Sequence, residues 1–144
     1  MATEFEVSHP LVIQLECIGQ IALTVRDLAE SKRFYQEILG MKFLFDAGSM
    51  IFFQCGTVRL LLGLAEKQAA AESIARSGTI LYFRVAEIEA VCAVLKAEGV
   101  EFVQDAHLIA KMPDHDLWMA FVKDPSGNVL GLMSEVVRIV SGNP

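Results

Sequence analysis

The sequence is short of positive charge, of cysteine and of long apolar runs, and each shortage removes a class of function. Lys and Arg number 12 against 18 Asp and Glu, which gives a net charge of −6 and a pI near 5.0. Nucleic-acid binding needs clustered Lys and Arg to neutralise phosphates, so no nucleic-acid partner is expected. The three cysteines, Cys17, Cys55 and Cys92, are odd in number and lack metal-binding spacing. They read as free thiols in a reducing cytoplasm, not as a disulfide framework. No run approaches the ~20 apolar residues of a membrane helix. The opening MATEFEVSHP has no basic segment followed by an apolar one, so neither a membrane span nor a secretory leader is expected.

The chain is nevertheless 53% hydrophobic with a mean hydropathy of +0.44, more apolar material than one soluble domain of 144 residues needs for its core. The surplus is expected to line a pocket or cover a subunit interface, and a homodimer is the simplest arrangement that does the latter.

Internal repetition organises the chain. The stretch IGQIALTVRDLAESKRFYQEILGMKF, from Ile18, returns in degenerate form as GTILYFRVAEIEAVCAVLKAEGVEF, from Gly78. Val25 answers to Val85 and Leu28 to Ile88 at a separation of sixty, then Gly40 to Gly99 and Phe43 to Phe102 at fifty-nine, so one residue slips inside the helix. Each copy opens with a strand, because apolar Ile21, Leu23 and Val25 alternate with Gln20, Ala22 and Thr24, and Leu81, Phe83 and Val85 with Ile80, Tyr82 and Arg84. The wholly apolar faces require a helix over them; the mixed faces are assigned to a concave side that meets a ligand or water. Asp27 with Glu30 reads as a capping box and Gly40 as the helix stop, which explains both carboxylates without catalysis. In the second copy Ile88, Val91, Val94 and Leu95 form the helical stripe and Gly99 the stop.

Strands are expected at Met41 to Phe45, Met50 to Gln54 and Thr57 to Leu62, then at Val100 to Gln104, Asp116 to Lys123 and Val129 to Ser134, the last two joined by the turn Asp124-Pro125-Ser126-Gly127-Asn128. The fold class is α+β, a single domain over residues 1–144 built of two tandem β-α-β-β-β modules that form a cupped eight-stranded mixed sheet. Module one spans 18–62, a crossover 63–77, module two 78–135 and a tail 136–144; residues 1–11 form an arm, and Val12 to Cys17 either an extra edge segment or the lead-in to the first strand.

A paired β-α-β-β-β chain with VxDLxxSxxFYxxxLG in its first half and FVKDPSGNVLGL near its end resembles the vicinal oxygen chelate superfamily of glyoxalases, bleomycin-binding proteins and extradiol dioxygenases. The residues that carry the resemblance are Val25, Asp27, Leu28, Ser31, Phe34, Tyr35, Leu39 and Gly40, then Phe121, Asp124, Pro125, Gly127 and Asn128. It implies a divalent metal held in the cup by His, Gln or Glu from the first and last strand of each module. The corresponding positions here are Gln20, Leu60, Ile80 and Gly131. Only Gln20 has a donor atom, and one neutral amide cannot hold a divalent ion, so no metal or other cofactor is expected.

The concave face is then expected to form a pocket with Gln20, Thr24 and Tyr82 as directing polar groups and Leu60, Ile80 and Met133 among its walls. The family register adds Met119 and Phe121, and Gly131 leaves space where the family often carries Glu. Alternation assigns Arg59 and Trp118 to the opposite, helix-facing side. His107 and His115 are placed in the loop before the seventh strand, His115 between Asp114 and Asp116, as candidate acid–base groups. The function expected is binding of a small, largely apolar or aromatic molecule, of sequestration or resistance type, with the acidic net charge suiting a cationic ligand. The alternative is a glyoxalase-type lyase, isomerase or dioxygenase, using either acid–base chemistry at His115 or His107 or a metal site rebuilt from Gln20 with both histidines.

Overall fold

Alternation gives strand β1, Gln20–Val25, and Asp27 starts helix α1, Leu28–Lys32, its carboxylate accepting a hydrogen bond from the Glu30 amide at 2.8 Å. The structure, a computed structural model, describes residues 13–65 and 79–138. Beyond Lys32 the helix widens into a π-helical turn, Arg33–Ile38. That turn accommodates the residue by which the first copy is longer than the second: the Leu39 amide donates to Phe34 O and the Met41 amide to Tyr35 O, each at 2.9 Å. It also turns two consecutive side chains inward, Phe34 and Tyr35, at 4% and 0% exposure.

Three strands complete the first module, β2 (Lys42–Ala47), β3 (Met50–Cys55) and β4 (Val58–Leu64). The second repeats the plan with β5 (Leu81–Arg84), helix α2 (Ile88–Ala97), β6 (Glu101–Lys111), β7 (His115–Lys123) and β8 (Val129–Val137). The strands form two four-stranded mixed sheets, ordered β1-β4-β3-β2 and β5-β8-β7-β6, with β1 and β5 parallel to their neighbours. The α+β class and the duplicated module therefore stand as read from the sequence. Among the described residues no helix is long and apolar enough to cross a membrane.

Several boundaries move. Residues 105–111 do not loop out: β6 continues through them with three register irregularities, which bend a strand without ending it. His107 consequently lies within β6, and His115 is the first residue of β7. Ile13 to Gly19 form no strand and are exposed. Gly63 and Leu64 belong to β4, and Val136 and Val137 to β8. The rest of the expected crossover from residue 66, the arm, and the tail from residue 139 lie outside the described residues.

One core runs through both modules. Val25, Phe34, Tyr35, Phe53, Leu60 and Leu62 of the first join Ile88, Leu95, Ala120, Val122, Leu130 and Leu132 of the second. A buried polar junction fixes one module to the other at the β7–β8 turn. Asp124, 4% exposed, accepts from the Tyr35 hydroxyl at 2.8 Å and from Asn128 Nδ2 at 2.9 Å through one oxygen. Through the other it accepts from the amides of Ser126 and Asn128 at 2.9 and 2.8 Å. Asn128 Nδ2 also donates to Thr24 O at 3.0 Å, and the Arg26 amide donates to Ser126 Oγ at 2.8 Å. A buried carboxylate is costly unless its lone pairs are satisfied, and here four donors satisfy them.

Burial, then the adjacent Asp124 charge and the hydrogen bond to it, push the Tyr35 phenol well above its ordinary value. Because the folded value is the raised one, this contribution to stability is intact below about pH 10 and is lost as pH rises beyond it. Tyr35→Phe leaves Asp124 one donor short and is expected to cost about 1–3 kcal/mol in urea denaturation. The variant should also lose part of the wild-type decline in stability above about pH 10. An unchanged urea midpoint would show that the junction does not hold the modules together.

Candidate functional site

Strand register assigns each face. In the first module Ile21 pairs with Leu60 and Leu23 with Leu62, so these residues share the helix-facing side. Leu60, 2% exposed, is thus in the core and not in the cup; its assignment to the pocket wall is corrected, and Val58 and Leu62 share its face. Arg59 moves the other way, because it pairs with Gln20 in β1 and Gln54 in β3. A polar row therefore crosses the concave face from Gln20 through Arg59 and Gln54 to Lys42. The next row is apolar, from Ala22 through Leu61 to Phe52 and Phe45, whose rings stack at 4.5 Å with planes 26° apart. Thr24, Gly63, Met50 and Ala47 form the third.

The second module brings most of the expected pocket residues together. Tyr82, Gly131, Phe121 and Gln104 form one row across the sheet. Arg84, Met133, Met119 and His107 form the next. The space above Gly131 is not open. The Tyr82 ring lies across it, so that a Cβ there would sit 2.6 Å from Tyr82 Cδ2. The same ring meets Phe121 edge-on at 5.7 Å and 81°, and a pair of this kind contributes about 0.5–1.5 kcal/mol beyond its burial. Tyr82 remains 47% exposed, so the platform is open to a ligand. Ile80 lies just before β5 at 37% exposure. Trp118 pairs with Leu108 and Ser134 and packs against the core, on the helix-facing side as expected.

The two histidines do not converge. His107 is level with Met119, whereas His115 lies four residues earlier on β7, a separation of roughly 13 Å along the strand. His107 Nδ1 lies 2.9 Å from Asp105 O, and His115 Nδ1 lies 2.7 Å from Asp114 Oδ1. The hydrogen bond from His115 and its own backbone amide hold the Asp114 carboxyl below its ordinary value. Asp116 turns to the other face and pairs with Arg138.

The four family positions do not suit a divalent ion. Leu60 faces the core, Ile80 and Gly131 bring no donor, and the Tyr82 ring covers Gly131. Among the described residues no group of three or more His, Cys, Asp or Glu is arranged to hold a metal. The wide separation of His107 from His115 removes the rebuilt site as well. The polar groups present offer donors and positive charge instead: Arg59 and Lys42 have no carboxylate partner among the described residues, while Arg84 pairs with Glu135 at 3.3 Å and Lys123 with Glu101 at 3.6 Å. A cationic ligand is thus not favoured on the polar row, despite the acidic total charge.

Sequence reasoning missed Arg59 and the Phe45–Phe52 stack. The signal for Arg59 was the two-residue turn Gly56-Thr57, which makes Cys55 face Val58 and hence Gln54 face Arg59.

The model of the Glyoxalase/Bleomycin resistance protein/Dioxygenase superfamily matches residues 17–132, and the chain belongs to that superfamily. No curated protein matches it. Similar solved structures include a virulence protein from Salmonella typhimurium, at TM-score 0.68 and 20% identity over 86% of this chain and 100% of that one. A lactoylglutathione lyase from Agrobacterium tumefaciens matches at TM-score 0.65 and 18% identity, over 84% and 95%. A glyoxalase/bleomycin resistance protein/dioxygenase from Alicyclobacillus acidocaldarius matches at TM-score 0.65 and 18% identity, over 83% and 91%. Likeness at this identity establishes the fold and nothing finer.

Gly131→Ala tests the platform. Its Cβ must push the Tyr82 ring off the strand, so the near-ultraviolet circular dichroism of tyrosine is expected to change while the far-ultraviolet spectrum stays constant. An unaltered near-ultraviolet signal would mean that the ring does not rest on Gly131.

Proposed function

We propose that this superfamily member binds a small, largely apolar or aromatic molecule on its concave sheet faces without a metal ion, as a sequestering or resistance-type protein does. The observation that carries this reading is the Tyr82 ring laid over Gly131 with Phe121 at its edge. Met119, Met133 and Ile80 extend the apolar surface around it, and Gln20 and Thr24 with Arg59 supply hydrogen bonds from the other module. Apolar surface left exposed at Phe45 and Met50 supports a homodimer, in which a second copy covers that part of the first sheet and leaves Tyr82 to the ligand. Three free cysteines suit a reducing cytoplasm.

A second reading rests on the His115–Asp114 pair at 2.7 Å, which orients the imidazole for acid–base catalysis of a glyoxalase type. The two readings part in one set of measurements. For the binding protein, at least one member of a panel of aromatic carboxylates and phenols raises Tm in a thermal-shift titration. Tyr82→Ala then weakens that ligand about tenfold, the scale of one lost aromatic contact plus its burial, and His115→Ala leaves binding unchanged. For the enzyme, His115→Ala abolishes turnover with the fold intact. Metal content of tag-free protein, purified without chelator, adds a further check: about one equivalent of Ni, Zn, Mn or Fe per chain would overturn the metal-free reading.

A further inference from the structure

The duplication is imperfect at one place away from the Tyr82 platform. The β7–β8 turn seats Asp124–Asn128 against the end of β1 and against Tyr35 on the first helix. By the internal repeat, the equivalent seat is made by the end of β5 and by helix α2, and the equivalent turn is β3–β4. That turn has only Gly56 and Thr57 between the paired residues Cys55 and Val58, where five residues separate Lys123 from Val129. Gly56, at φ 59, closes it tightly. The shorter turn carries no counterpart of Asp124 and does not fill its seat.

A groove of about 620 Å³ remains there, with Cys55 and Gly56 on one wall and Val85, Val91 and Leu95 on the other. Its volume lies in the range of small-molecule sites, roughly 300–1,000 Å³. The charged residues along it are Lys42 and Arg84, the latter paired with Glu135 at 3.3 Å, and no Asp or Glu lines it. Lys42 has no carboxylate partner among the described residues. An apolar slot edged by an unpaired ammonium complements a molecule with an apolar body and one anionic end.

We infer that this groove between the modules is a second binding site, for an amphipathic carboxylate with an unbranched or aryl apolar tail. Neither Tyr82, Phe121 nor Gly131 lines the groove, and it meets the concave faces only at its rim, through Lys42, Gln54 and Arg84. The carboxylate meets Lys42, with Arg84 nearby, and the tail lies against Val91 and Leu95.

The cysteines provide the test, because Cys55 lines the groove and is half-buried, Cys17 is exposed and Cys92 is buried. Iodoacetamide labelling of the full chain is followed residue by residue by peptide mass spectrometry, with dodecanoate below its micelle threshold. Cys55 alkylation is expected to slow about fivefold or more at saturation while the Cys17 rate is unchanged, since alkylation follows thiol access. Lys42→Glu should raise the dodecanoate concentration for half-protection about tenfold, the scale of one charge-assisted contact. Ala90→Phe, which fills the groove from the α2 side, should abolish the dodecanoate effect even if Lys42→Glu fails to fold. An unchanged Cys55 rate would overturn the inference, as would equal protection by dodecanol. A dodecanoate-dependent change in Tyr82 fluorescence without Cys55 protection would place the molecule in the cup and overturn it too.

Discussion

The buried carboxylate of Asp124 is the constraint on which the rest of the molecule depends. It sits at the meeting of a turn from one module with a strand end and a helix from the other, and its two oxygens collect donors from both. Removing such a group from water is tolerable only where every lone pair is met, so the geometry of turn, helix and strand must agree simultaneously. The π-helical turn is part of that agreement. It brings Phe34 and Tyr35 inward together, so that one ring fills the core and the other carries its hydroxyl to the carboxylate. The main polar junction between the modules is thus a single point, and both concave faces are left clear of it.

Much of this was legible in the sequence because duplication reports itself. Matching Val25 to Val85 and Gly40 to Gly99 fixed the strands, the helices and the one-residue slip, and the slip is the π turn. What the repeat could not report was the length of β6. Its irregularities interrupt the alternation through Asp105 to Lys111, so a bent strand reads as a loop. His107 moves from a loop onto a strand for that reason, whereas His115 does so because β7 begins one residue before the expected Asp116.

The faces of β4 show a different limit. Its sequence, VRLLLGL, is apolar on both sides apart from Arg59, so alternation separates two sets without saying which is buried. Pairing decides it: Ile21 fixes Leu60 to the core, and Gln20 draws Arg59 to the concave side. An arginine misplaced by one residue in register changes the character of a site from neutral to cationic, because every side chain on the strand exchanges faces together.

Gly131 decides which side chains the centre of the second sheet can hold. A carboxylate at that position would bring a metal donor into the cup, and would leave no room for the Tyr82 ring where it now lies. The two arrangements exclude each other sterically, so the aromatic surface in its present position depends on glycine at 131. An exposed ring supported by backbone on one side and by Phe121 at its edge is held with little freedom, and a flat apolar partner can stack on it with little further loss of entropy. The polar row of the other module contributes donors and positive charge but no carboxylate. Under the binding function proposed above, the two together would suit a ligand with an aromatic body and an acceptor-bearing end, held by shape and hydrogen bonding.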